Sequence, residues 1–323
     1  MQLSTATAGA WLARHNMPVT NAAFHSLGGG VSNTVILVEG TGFRGVIKQS
    51  LGQLRVEEEW LSSRARVLRE AAAMRWLSSR ISRGRIPAIL VDDPSEFAIL
   101  MEAAPRTAAM WKTSLLRGYL EPSVAVAVGE LLASVISVSW NNPEAERPFH
   151  DQTVFEELRV DPYYRFTSGR HPEVAHYFLD LIERSATRRV SLVHGDFSPK
   201  NLLIDGGEVW AIDWEVVHFG DPAFDVAFLW THLLLKSIYL PRHAATFAAL
   251  AEAFTRALRA GLPPAAGWVC DAALEHLPAL LLARVDGKSP AEYLDADMRN
   301  SARALALALM REPARSVGEI FER

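Results

Sequence analysis

The spacing of apolar positions divides the chain into two regimes. Near the N-terminus the apolar runs are strand-length: residues 21–26, 34–38, 43–49 and 97–101 are short, rich in β-branched or aromatic residues, and separated by glycine or charged segments. One stretch among them, residues 65–79 (ARVLREAAAMRWLSS), has helical spacing instead. From Ala109 onward the helical period dominates. It predicts helices over residues 109–116, 122–140, 222–236, 243–260, 265–283 and 298–310, with the second apolar enough to be a central buried helix. Asp221 before Pro222 reads as an N-cap with proline at the first helical position.

Only residues 191–213 return to a strand pattern in the second regime. Ser191-Leu192-Val193 is an apolar lead-in, residues 194–200 hold Gly195 and Pro199 and so form a loop, and Leu202-Leu203-Ile204 resumes as a strand. Asp205-Gly206-Gly207 is a turn signal before the returning strand at residues 208–212. The hairpin sets Asn201 and Asp213 side by side at its open end, with Asp196 in the preceding loop. A carboxylate to orient a hydroxyl, and an amide plus a second carboxylate for magnesium, are what phosphoryl transfer requires. Surface turns favour Asp and Asn on their own account, so the weight lies in the joint order Asp196, Asn201, Asp213.

The sequence VHGDFSPKNLLIDGGEVWAIDWE, with Gly220-Asp221-Pro222-Ala223-Phe224-Asp225 after it, resembles the aminoglycoside phosphotransferase and choline kinase-like family of small-molecule kinases. Asp196 to Asn201 keeps the protein-kinase D-x-x-x-x-N spacing, but His194-Gly195 replaces His-Arg and Trp214-Glu215 replaces Phe-Gly. The resemblance implies an α+β, protein-kinase-like two-lobe fold. A small N-terminal nucleotide-binding lobe (residues 1–104) would carry an antiparallel sheet and a helix, and a large, mainly helical lobe (residues 105–323) would carry catalysis and substrate binding.

It also implies ATP and Mg2+ as cofactors, Asp196 as the catalytic carboxylate and Asn201 and Asp213 as metal ligands. Lys48, at the end of Val46-Ile47-Lys48, is expected to contact the α/β-phosphates, and Glu70 on the helix to pair with it. Glu57, Glu58 and Glu59 lie in a less regular segment. The stretch Gly28-Gly29-Gly30-Val31-Ser32-Asn33-Thr34 departs from G-x-G-x-x-G. It offers backbone N–H groups at Gly29 and Gly30 and side-chain donors at Ser32, Asn33 and Thr34 for phosphate oxygens. Met101, Glu102 and Ala103 correspond in chain order to the hinge whose backbone would hydrogen-bond adenine. His194 and Asp225 are expected to support the catalytic loop by hydrogen bonds.

Acceptor recognition is expected from two regions. Arg159, Tyr163, Tyr164 and Arg165 offer cations and rings, with plain packing as the alternative for the tyrosines. Arg284 and Lys288 flank a glycine-containing corner, and Arg284 has a counterpart in methylthioribose kinase-like members; helix capping is the alternative there. These cations favour a neutral or anionic sugar-like acceptor. An antibiotic-inactivating phosphotransferase and a non-catalytic nucleotide-binding scaffold stand as alternatives.

At 323 residues, 49% hydrophobic, the chain can bury a core large enough for two lobes. A net charge of -4 and dispersed basic residues argue against nucleic acid as a partner, and Arg64 to Arg85 reads as a solvated helix face. The single cysteine, Cys270, excludes an internal disulfide. No run is expected to reach the ~18 apolar residues of a membrane span, and the start MQLSTATAGAW lacks a charged leader, so a cytoplasmic protein is expected.

Overall fold

The computed structural model describes residues 2–17, 19–28, 32–52, 62–81 and 84–323. After α1 (Ala8–Arg14), five strands form one antiparallel sheet in the order β1 (Ala23–Ser26), β2 (Asn33–Gly40), β3 (Phe43–Ser50), β5 (Ala98–Glu102), β4 (Ile89–Asp93), with α2 (Arg66–Ser78) between β3 and β4. Side chains alternate across the sheet. Ile47, Ala98 and Leu100 pack with Trp11 and Leu12 of α1, while Ile99 and Met101 pack with Val67, Ala71 and Met74 of α2. Lys48, next to Ile47, therefore falls on the α2 side. Glu70 lies within the buried stripe of α2 that also holds Val67, Ala71, Met74 and Leu77, and so the two face each other.

β6 (Ala109–Met110) leads into α3 (Trp111–Leu116), and the chain then becomes mainly helical: α4 (Pro122–Ser139), α5 (Pro143–Phe149), α6 (Thr153–Phe155), a π-helix (Glu156–Arg165), α7 (Phe166–Arg170) and α8 (Ala175–Thr187). β7 (Ser191–Val193) pairs with β10 (His218–Gly220), and between them lies the expected hairpin of β8 (Leu202–Asp205) and β9 (Glu208–Ala211), with Leu202 opposite Ala211. The helices α9 (Ala223–Tyr239), α10 (Ala244–Gly261), α11 (Val269–Asp286), α12 (Ala296–Arg311) and α13 (Val317–Glu322) close the fold. Gly129 allows α4 to meet α10, since a Cβ there would lie 2.5 Å from the Phe254 carbonyl oxygen.

The α+β class with an N-terminal antiparallel sheet and a mainly helical remainder is the one expected. Three details differ. Asp221 caps from outside the helix: α9 starts at Ala223, whose N–H donates to Asp221 Oδ1 at 3.0 Å. Two helical segments, 122–139 and 264–286, are long and apolar enough to cross a membrane by length and composition, contrary to expectation, although 61% and 67% of each is buried inside the fold. Arg66 is 1% exposed, so the arginines of α2 do not form one solvated face.

Candidate active site

The loop between β7 and β8 is held from three sides. Gly195 has φ of +75°, and a Cβ there would sit 2.9 Å from the Val216 carbonyl oxygen, so both conformation and space call for glycine. The N–H groups of His194 and Gly195 donate to Asp225 Oδ2 and Oδ1 at 2.6 and 2.9 Å. His194 Nδ1 accepts from the Asp196 N–H at 3.1 Å, which fixes the proton on Nε2, and Nε2 donates to the Ile212 carbonyl oxygen at 3.0 Å. Burial holds the His194 imidazole neutral, its pKa pushed down to about 4.

The Asp196 carboxylate lies 3.0 Å from Arg159 and 2.9 Å from Lys200. Burial alone would raise its pKa, but Lys200 and Arg159 outweigh that and hold it below the usual carboxylate range. Arg159 also donates through Nε to the Gly195 carbonyl oxygen at 2.5 Å. Asn201 donates from Nδ2 to the Asp196 carbonyl oxygen at 3.0 Å, which leaves its oxygen as the group available to a cation. Ile212 N–H donates to the Asn201 carbonyl oxygen at 3.0 Å, bringing Asn201 next to Asp213.

Asp213 adopts a left-handed conformation, φ +68°, which costs a non-glycine residue energy and turns the chain sharply. Its Oδ1 pairs with Lys48 Nζ. Lys48 lies 2.6 Å from Glu70 Oε2, and Glu70 Oε1 accepts from the Trp214 N–H at 3.2 Å. Glu70 thus grips both the lysine and the backbone that follows Asp213. Against burial, Asp213 and Glu70 hold the Lys48 ammonium above its ordinary range, and Lys48 holds Asp213 below its own.

Gly29 and Gly30 fall outside the described residues. Ser32 and Asn33 do not present their side chains as phosphate donors: the Ser32 hydroxyl donates to Glu215 Oε1 at 2.7 Å and Asn33 Nδ2 to Glu215 Oε2 at 2.8 Å, because a buried carboxylate recruits the nearest donors. In the hinge, Met101 is buried, and the N–H groups of Glu102 and Ala103 donate to the carbonyl oxygens of Ala88 (2.8 Å) and Arg44 (3.5 Å), so these amides serve the sheet.

The residues of 156–165 diverge because neighbours on a helix point in different directions. Tyr163 turns towards the site, accepting from Arg284 Nη1 at 3.3 Å and lying 5.6 Å below the Arg159 guanidinium. Tyr164 turns away and shares a 2.8 Å hydrogen bond with His276. Arg165 pairs with Glu156 and Asp161 on the surface and does not join the site. Lys288 lies over the Phe166 ring at 5.3 Å. The sequence reading missed Lys200, Glu215 and Arg66. Lys200 sits four residues after Asp196, and that spacing was the one available signal.

A carboxylate held between two cations beside an amide and a lysine-paired aspartate is suited to phosphoryl transfer. The model of the phosphotransferase enzyme family APH matches residues 24–241. The chain belongs to this family. It has the protein-kinase-like APH fold. Methylthioribose kinase of Pectobacterium atrosepticum is 25% identical over 254 residues, 70% of this chain and 63% of that protein. The chain thus spans less than two-thirds of that relative. Among solved structures it is similar to a choline/ethanolamine kinase family protein from Mesorhizobium loti (TM-score 0.57, 19% identity, 99% of each chain covered). It is also similar to the amicoumacin kinase hAmiN in complex with AMP-PNP, Ca2+ and Ami (TM-score 0.54, 14% identity, 95% of this chain and 94% of that one).

Proposed function

We propose that this APH-family protein transfers the γ-phosphoryl group of ATP to a hydroxyl of a small, sugar-like metabolite, in a cleft between an N-terminal nucleotide-binding part ending near residue 104 and the helical part that follows. The observation that carries this reading is the junction at Asp213, where Lys48, Glu70 and the Trp214 amide meet within hydrogen-bonding distance.

Asp196 is assigned to orient the acceptor hydroxyl. With its pKa held below the usual range it is a weak base, which suits a loose transition state in which the proton leaves late and positioning dominates. Lys48 is assigned to the α/β-phosphates, with Glu70 holding its ammonium in place. Asn201 and the ionised Asp213 are hard oxygen donors that fit Mg2+, an ion that takes one or two protein ligands and completes its shell with water and phosphate. When bound there, the ion would neutralise charge on the transferred phosphoryl group. Lys200, beside Asp196, adds a cation for that charge.

The test is ADP release from Mg·ATP with a panel of sugars, amino alcohols, nucleoside-derived thiosugars and aminoglycosides, comparing the wild type with Asp213→Ala. Acceptor-dependent release that disappears in the variant supports the assignment, and a fully active variant overturns it. Aminoglycosides as the best acceptors would favour the antibiotic-inactivating alternative.

A further inference from the structure

The helix α9 carries a feature the mechanism above does not use. Phe228, His232 and Lys236 follow at four-residue spacing and so share one face. That face starts beside the catalytic loop: Phe228 lies 5.9 Å from the guanidinium of Arg159, which pairs with Asp196, and His232 packs edge-on against Phe228 at 5.0 Å. Lys236 is fully buried, yet the only hydrogen bond its ammonium makes among the described residues is to the carbonyl oxygen of His232, at 3.1 Å, and the Tyr293 ring lies 5.3 Å away. Arg284, 8% exposed, bonds to Tyr163 and Ser289 and, among the described residues, to no carboxylate. Its Nε and the Tyr293 hydroxyl are both buried without a hydrogen-bond partner among the described residues.

Buried cations and buried unpaired donors are costly unless something satisfies them. Glu292, the carboxylate that acts on Lys236, is itself paired with Lys112. Around Lys236 the acting charges are therefore the cations Lys112 and Arg284 and the carboxylate of Glu292. Burial, with Lys112 and Arg284 adding to it and Glu292 only partly opposing them, pushes the Lys236 ammonium down to about 7.

We propose that the acceptor carries an acidic group, a carboxylate or a phosphate ester, which Lys236, Arg284 and the Tyr293 hydroxyl receive while the hydroxyl to be phosphorylated reaches Asp196. This rests on the phosphotransferase reading and narrows it to anionic acceptors. It also excludes aminoglycosides, whose ammonium groups would add to the excess of positive charge.

The test is titration calorimetry on the full chain loaded with Mg·AMP-PNP, using acidic and neutral forms of related skeletons: gluconate and glucose, glycerate and glycerol, ribose 5-phosphate and ribose. The acids should bind about 10- to 100-fold more tightly than their neutral counterparts, and the carboxylate and phosphate pairs show which acid is meant. Lys236→Met, and separately Arg284→Gln, should remove that preference with AMP-PNP affinity unchanged. A wild type without preference for the acids, or a preference that survives in both variants, overturns the subsite. Failure of the wild type to bind AMP-PNP would instead overturn the kinase reading, so the two failures are distinguishable.

Discussion

Arg66 Nε donates to Glu215 Oε2 at 3.1 Å with both side chains buried. The same carboxylate takes the Ser32 hydroxyl and the Asn33 amide, and Arg66 Nη2 reaches the Leu51 carbonyl oxygen at 2.9 Å. One ion pair therefore joins the start of β2, the first turn of α2 and the segment after Asp213.

Removing one partner strands the other. Glu215→Met, and separately Arg66→Met, should each cost about 3–5 kcal/mol, the usual penalty for an uncompensated buried charge. The double variant Arg66→Met/Glu215→Met should lose less than the two single variants combined. Urea denaturation of the four proteins measures both; strict additivity would show that the pair is not coupled.

Asp225 should matter as much to stability as to turnover, although it lies one residue behind the reacting groups. Asp225→Ala leaves the His194 and Gly195 N–H groups buried without acceptors, a loss of about 2–5 kcal/mol, together with a drop in kcat as Asp196 loses its fixed position. Asp225→Asn keeps one oxygen and should recover part of both. Equal kcat in the wild type and Asp225→Ala, with ADP release as the readout, would contradict this positioning role.

The hairpin and the catalytic loop were legible because each depends on local signals: glycine and proline in the loop, Asp-Gly-Gly at the turn, and alternating apolar residues on either side. The Lys48 and Glu70 pairing was legible because strand alternation and helix periodicity each choose a face. Arg66, Glu215 and Lys236 were not. Their burial depends on partners 149 residues away in the first two cases and on helix packing in the third, and a charged residue in an amphipathic pattern gives no local sign that it points inward. The tyrosine pair failed as a unit for a related reason: consecutive helical residues diverge, so adjacency in sequence hides opposite surroundings.

His218 gives the fold a pH dependence of known sign. Stacked on Phe155 at 4.0 Å and fully buried, its imidazole is pushed down by burial to about 3. Unfolded, it titrates at its ordinary value of 6.5. Between those values the unfolded chain binds a proton that the folded chain refuses, so this contribution is present above pH 6.5 and is lost as pH falls towards 3. His218→Phe should remove it. The advantage of the wild type over the variant, measured by urea denaturation, should shrink by ~1.4 kcal/mol per pH unit below pH 6.5. An advantage independent of pH between 7 and 4 would contradict the assignment.

The role proposed for Asp196 is phosphoryl transfer to a bound hydroxyl. The most direct measurement is acceptor-dependent ADP release at saturating Mg·ATP, in the wild type and in Asp196→Asn, with nucleotide affinity measured alongside. The rate should fall by about 10²- to 10⁴-fold in the variant with ATP affinity retained; an unchanged acceptor-dependent rate would rule out that role.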